Sequence, residues 1–397
     1  MPGKSHHQLF IVAAIIGLAL NLRPAMASIG PLLDMIERTI GTSHTWSSLL
    51  TAVPVFVMGV CALGSNRMIT LLGERQGVFM GIALIGLACA ARYVLTGGTG
   101  LLLTAVVAGM GIALVQTLLP TFIKRRFVAD AGRVFALYTT GIMAGAAIAA
   151  ASAAGLASSL GHWSLALAIW AVPALLMLPC WSWATRAPAA VLSAAPVRSV
   201  AIAERAFWRN GRAWALLLFF GIGTGAYTLV LAWLPPFYTS LGWPASSAGL
   251  LLGGLTLVEV LAGLAVSCWI GRFPDRRKPL LMVLIALLSG LMCLLLAPLD
   301  LALLACILLG AGIGALFPLS LIVALDHLEE PAQAGMLLAF VQGGGYIIAS
   351  FMPLIAGLLR DQFSSLDHAW QVMMVGVLLL MGLCLRFSPE SYRRINC

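Results

Sequence analysis

Apolar residues run through this chain in stretches of about 20, interrupted at short intervals by Gly, Pro and charged residues. A helix rising 1.5 Å per residue needs about 20 apolar residues to cross a hydrocarbon layer of about 30 Å. Twelve stretches meet that length and predict twelve transmembrane helices, near 9–32, 47–66, 77–96, 100–122, 133–158 and 164–184, then 212–236, 246–270, 279–297, 301–324, 335–358 and 369–387. The longest polar interval follows the sixth stretch and carries Arg186, Arg198, Arg205, Arg209 and Arg212. The fold class expected is an all-α integral membrane protein: an N-terminal six-helix bundle (1–184), a cytoplasmic linker (185–211) and a C-terminal six-helix bundle (212–397).

The two sets of stretches repeat each other. The fourth contains Gly109-Met-Gly111-Ile112 and the tenth Gly310-Ala-Gly312-Ile313, with Pro120 and Pro318 at similar depth. The fifth and eleventh open on Ala131-Gly132-Arg133-Val134 and Ala334-Gly335-Met336-Leu337. Duplicated six-helix halves around a midplane site are the build of many secondary transporters.

Composition strengthens this reading. Hydrophobic residues make up 61% of the 397 positions and charged residues 9%, against about 25% charged in soluble domains. The net charge of +9 does not indicate nucleic acid, because the basic residues are spread through short interspan segments instead of forming one patch. With the N-terminus inside, the cytoplasmic segments hold Lys4, Arg67, Arg75, Lys124, Arg125, Arg126, Arg133, the five arginines around the linker, Arg272, Arg276, Arg277, Lys278, Arg386, Arg393 and Arg394. The outer segments hold only Arg38 and Arg360. This asymmetry places both termini in the cytoplasm. The first stretch ends in no clear cleavage site and is expected to remain as the first helix.

Most of the eight cysteines fall inside apolar stretches without C-x-x-C spacing and read as small buried hydrophobes. No nucleotide-binding motif, metal-spaced cluster or Ser/His/Asp arrangement is visible, so neither ATP use nor a cofactor, a metal site or enzymatic chemistry is expected.

The loop Gly271-Arg-Phe-Pro-Asp275-Arg276-Arg277-Lys278 resembles the loop signature of the major facilitator superfamily. Gly64 to Arg75 matches it loosely, with Asn66 in place of the usual Asp. Leu20-Asn21-Leu22-Arg23-Pro24, Gly30-Pro31-Leu32-Leu33, Leu49-Leu50-Thr51-Ala52-Val53-Pro54 and the segment from Gln116 through Pro120 to Phe127 are similar to the cyanate permease and nitroimidazole transporter family within it. The resemblance implies a monomeric secondary transporter of the bacterial inner membrane. Its expected partners are the lipid bilayer, a small cyanate-like anion and, as candidate coupling ion, protons.

Candidate chemistry follows from the few polar groups at depth. Arg23 lies about 21 Å along the first stretch, where a guanidinium costs roughly 2.5 to 3.5 kcal/mol on insertion scales and needs a partner. It either binds a substrate anion or pairs with a carboxylate. Glu259, about 20 Å from the start of the eighth stretch, is the proton-coupling candidate; balancing charge and direct substrate contact are its alternative roles. Gln116, Tyr227, Gln342 and Tyr346 offer neutral donors at the depth of a central site, and each is equally suited to an interhelical hydrogen bond. Trp233 is a weaker candidate, suited also to an interfacial belt. Asp275, Arg276 and Arg277 are expected to form a gating loop. Arg92, beside Tyr93, is expected to snorkel to the outer interface. Asp326, Glu329 and Glu330 are expected either to pair with basic loops of the other half or to form a solvated turn. The competing function is a proton-driven exporter of nitroaromatic or other drug-like compounds using Glu259.

Overall fold

A computed structural model describes residues 2–64, 71–127, 130–186, 207–328 and 331–389. Among these residues every regular element is helical, and twelve helical segments are long and apolar enough to cross a membrane. Only hydrogen bonding within each segment satisfies its backbone where no water is available. Spans two to five are His44–Leu63, Glu74–Ala91, Gly98–Arg126 and Ala131–Leu160. The sixth comes in two pieces, Trp163–Ala168 and Ala171–Ala184. Spans seven to twelve are Gly211–Ser240, Ala245–Trp269, Arg277–Leu296, Ala302–Leu325, Pro331–Phe363 and Asp367–Leu385. Most of the expected linker lies outside the described residues, as do Asn66, Glu329 and Glu330.

Across the two sets, span two packs along span eleven and span five along span eight. These pairs exchange under the internal duplication, since two corresponds to eight and five to eleven. The chain therefore meets itself through two equivalent seams, with the first and seventh spans beside them.

The first span departs from the continuous helix expected over 9–32. Helix Pro2–Leu20 stops and the chain turns at Asn21, Leu22 and Arg23. It then resumes as Pro24–Ala27, a 3-10 turn at Gly30–Leu32 and helix Leu33–Ile40. Pro24 and Pro31 lack the amide hydrogens a continuous helix needs. Side chains close the break locally: Asn21 Nδ2 donates to the Gly17 carbonyl at 2.8 Å, and Ser28 Oγ donates to that of Pro24 at 2.7 Å. Gly145 of span five lies so close that a Cβ there would overlap the Leu20 carbonyl oxygen.

Arg92 corrects an expectation. Instead of snorkelling it is 2% exposed; its Nη1 donates to the Ala25 carbonyl at 2.7 Å and its Nε to Thr104 Oγ1 at 3.2 Å. The guanidinium thus braces the short helix after the break against span four. A position near the end of a span does not reveal whether the side chain turns to lipid or to protein.

Polar ties between the halves gather at the end of the bundle that carries Ile40 and Phe363. Asp34 pairs with Arg360 at 3.4 Å and accepts from Thr239 Oγ1. Asp361 accepts from the amides of His44 at 3.0 Å and Thr45 at 2.8 Å, and from Thr45 Oγ1 at 2.6 Å. At the basic end, Arg125 pairs with Glu74 at 3.5 Å and Arg276 with Asp326 at 2.9 Å. Asp326 therefore pairs with a basic loop of its own half, not of the other half as was one expectation. The loop that runs between spans eight and nine reaches the end of span ten in space, a proximity that chain order hides.

His327, just beyond span ten, is 4% exposed. Its Nδ1–H donates to the Val323 carbonyl at 2.6 Å and its Nε2 accepts from Arg212 Nε at 3.0 Å. Accepting from Arg212 requires an unprotonated Nε2, so the second contact holds only with the neutral ring. Burial pushes its pKa down from 6.5 to about 4. The unfolded chain therefore takes up the proton before the folded one does.

Two measurements test this description. Arg92→Met leaves the Ala25 carbonyl unsatisfied, at a cost of about 1 to 3 kcal/mol, and should lower the thermal midpoint of the purified protein; an unchanged midpoint would contradict the brace. Stability should also fall as pH drops from about 6.5 toward 4, and His327→Gln should flatten that fall. Parallel melting curves across that window for both proteins would exclude His327 as its source.

Candidate functional site

The break in the first span sets the position of Arg23. Its backbone carbonyl accepts the amides of Met26 and Ala27, both at 2.9 Å, so the residue stands at the N-terminus of the short helix while its side chain turns inward, 4% exposed. The guanidinium carbon lies 5.6 Å from the centroid of the Tyr227 ring, within the range of a cation–π contact. Thr228 holds Tyr227 in register: its Oγ1 lies 3.0 Å from the Gly225 carbonyl and 2.9 Å from that of Ala349 in span eleven. That clasp places Tyr346 beside it, with its hydroxyl close enough to interact with Arg23. The Phe220 and Tyr346 rings meet edge-on at 5.5 Å between centroids.

Glu259 enters from span eight. Gly314 of span ten presses on its backbone so closely that a Cβ would overlap the Glu259 carbonyl oxygen. The carboxyl group is 4% exposed and lies within electrostatic reach of Arg23, but the two form no ion pair. Among the described residues neither Glu259 oxygen has a hydrogen-bond partner, and Arg23 Nε has none either. Direct pairing of Arg23 with Glu259, one reading of the sequence, is therefore not the arrangement observed.

A further residue, absent from the sequence-based set, completes the cluster. Tyr138 of span five is 3% exposed, its hydroxyl is unpartnered, and it feels both Arg23 and Tyr346. Matching Ala131 with Ala334 puts the counterpart of Gln342 at Thr139, one position from Tyr138, so the duplication held a pointer to this residue. The Tyr227 hydroxyl is likewise unpartnered. Five side chains from spans one, five, seven, eight and eleven thus converge: one permanent cation, one carboxyl and three phenols.

The remaining candidates are placed differently. Gln116 and Gln342 are half-buried in spans four and eleven, and among the described residues no hydrogen bond ties either to the cluster. Trp233 is fully buried and donates from Nε1 to the Pro353 carbonyl at 3.0 Å, with Arg360 over its ring at 5.4 Å; it packs within its own half, beneath the arginine that reaches Asp34 of the other. Asp275, Arg276 and Arg277 lie at the basic end. Arg277 donates to Asp275, the closest contact being 2.7 Å, and these hydrogen bonds hold the Asp275 carboxyl below the usual carboxylate range. Arg276 also donates to the carbonyls of Ile270 and Phe273, both at 2.7 Å. No group of three or more metal-ligating side chains occurs among the described residues.

A family model described as Major Facilitator Superfamily matches residues 9–350 and 239–395. The chain belongs to the major facilitator superfamily. It is 35% identical to the cyanate transport protein CynX of Escherichia coli (strain K12) over 390 residues, covering 98% of this chain and 99% of the relative. It is 29% identical to the 2-nitroimidazole transporter of the same organism, covering 97% and 96%. Among solved structures, a D-xylose–proton symporter superposes with a TM-score of 0.79 at 16% identity, covering 97% of this chain and 98% of the other. A bacterial homologue of the human lysosomal transporter Spinster, inward-facing and unoccupied, gives 0.74 at 16%, covering 98% of both. These two similarities establish the fold alone. The protein is a multi-pass membrane transporter of a small-molecule substrate, not an enzyme.

Proposed function

We propose that this transporter carries a small monovalent anion, cyanate-like in size and charge, across the bacterial inner membrane by alternating access, with Arg23 as the anion anchor. One observation carries the reading: a guanidinium that cannot shed its charge is 4% exposed, and among the described residues its Nε has no hydrogen-bond partner. An anion supplies the missing partner, and the fork of N–H donors suits its lone pairs. The 35% identity to a cyanate transport protein points the same way. Tyr138, Tyr227 and Tyr346 would complete the anion's shell with neutral donors. Gln116 and Gln342 remain candidates for a later stage of the cycle.

The basic end of the bundle is taken as cytoplasmic, with both termini there. The units 1–184 and 212–397 would then rock about the site, tied at the outer end by Asp34, Arg360 and Asp361, while the loop of Asp275, Arg276 and Arg277 braces the inner end. Anion uptake against 100 mV, negative inside, costs about 2.3 kcal/mol, which corresponds to an exclusion of about 50-fold. A coupled proton, anion exchange or intracellular consumption must supply that work.

A second reading is supported by Glu259, whose unpartnered carboxyl suits a proton carrier in an exporter of nitroaromatic compounds. The 29% identity to a 2-nitroimidazole transporter and the aromatic lining favour it.

Transport of labelled cyanate into proteoliposomes separates the two. Arg23→Lys should weaken transport measurably, because lysine is a compact point charge. Arg23→Ala should nearly abolish it, consistent with about 2 to 5 kcal/mol for truncating a buried charged contact. The double variant Arg23→Ala with Glu259→Gln should recover expression without recovering transport. If that variant transports cyanate, Arg23 is a structural counter-charge and the anchor role is wrong.

A further inference from the structure

The central cluster contains two unmet demands of opposite kind. Arg23 is a permanent donor with an unsatisfied Nε, and Glu259 presents two unsatisfied oxygens. Both residues are 4% exposed, so bulk water does not satisfy them. The two sense each other electrostatically without touching. A bare anion at Arg23 answers only the first demand. It leaves both Glu259 oxygens without a partner.

A ligand with two ends answers both. The geometry points to a small planar solute that presents a lone-pair acceptor end, anionic or strongly polarised, to Arg23 and an acidic N–H donor to Glu259. Tyr227 supports planarity, because its ring already lies face-on to the guanidinium at 5.6 Å and extends the flat, polarisable surface beside it. The unpartnered hydroxyls of Tyr138 and Tyr227 can each donate or accept, so they tolerate either end of such a ligand without fixing its charge. Glu259 then acts as a specificity residue that selects solutes carrying a donor. Acceptor-only anions would occupy the Arg23 end alone.

This inference rests on the reading of the cluster as the substrate site, and it concerns only what the Glu259 end recognises. The test uses purified full-length protein and equilibrium binding of four probes: sodium cyanate, 2-nitroimidazole, its 1-methyl derivative and its 4-methyl derivative. The 1-methyl compound loses the N–H and keeps the nitro group. The 4-methyl compound adds the same bulk and keeps the N–H. We expect 2-nitroimidazole and the 4-methyl compound to bind at least about tenfold more tightly than the 1-methyl compound, the scale of one unsatisfied buried acceptor. In Glu259→Met that difference should disappear, while cyanate affinity should not weaken. Equal affinity of the N–H and N-methyl azoles for the wild-type protein, which requires no variant to fold, overturns the inference, and so does failure of both to bind. Equal weakening by both methyl groups overturns it too, since bulk alone would then explain the loss. Cyanate binding that depends on Arg23 in those cases leaves the anion-anchor reading standing. Cyanate binding that is indifferent to Arg23→Lys, with the azole discrimination intact, removes that reading and keeps the donor role of Glu259.

Discussion

A guanidinium placed in the middle of a membrane protein cannot be neutralised and must be surrounded by groups that tolerate its charge. In this transporter the first span is broken at the arginine, Tyr227 and Tyr346 stand beside the cation, and its Nε has no partner among the described residues. The helix stops at Leu20, the chain turns, and Arg23 faces inward from the start of a new short helix. Several contacts accommodate that break. Asn21 and Ser28 satisfy local carbonyls, Gly145 admits the Leu20 carbonyl, and a second buried arginine, Arg92, holds the Ala25 carbonyl on the far side. The two arginines differ in one respect that decides their roles: Arg92 spends its donors on protein, whereas Arg23 keeps one unused.

The same contrast separates the two kinds of carboxylate. Asp34, Asp361, Asp275 and Asp326 are engaged by arginines, hydroxyls or amides at the ends of the bundle. Glu259, at its centre, has no hydrogen-bond partner among the described residues. Partly exposed pairs at the ends contribute little stability each and can exchange partners as the halves move. A buried group without a partner is costly in the absence of a ligand, so binding at the proposed site would relieve the protein as well as hold the solute. In the proposed reading, an unmet central site between two packed seams would give a substrate leverage over the conformational balance, because a ligand shifts an equilibrium only by its differential affinity for the two states.

Much of the architecture was legible in the amino-acid pattern, because twelve apolar runs of span length leave few alternatives to a bundle and its internal repeats order the spans. Arg23 and Glu259 were legible for a related reason: charge at that depth is expensive wherever it occurs. The break at residues 21–23 was less so, since hydropathy is the same for a straight or a broken helix, and Pro24 and Pro31 were the sole hints. Arg92 was misjudged because sequence gives depth along a helix and not the direction around it. Tyr138 was overlooked because tyrosine is ordinary in an apolar stretch and becomes informative only when its hydroxyl is seen to lack a partner beside a cation. Asp326 found a partner in its own half because the loops that meet there are distant in the chain.

Infrared spectroscopy of cyanate bound to the purified protein tests the central claim most directly, since the stretching band of the anion reports its hydrogen-bond donors. The account predicts a band displaced from that of free cyanate in the wild-type protein, a different displacement in Arg23→Lys, and only the free band in Arg23→Ala. A displaced band that persists unchanged in Arg23→Ala would show that the anion binds elsewhere and would contradict the account.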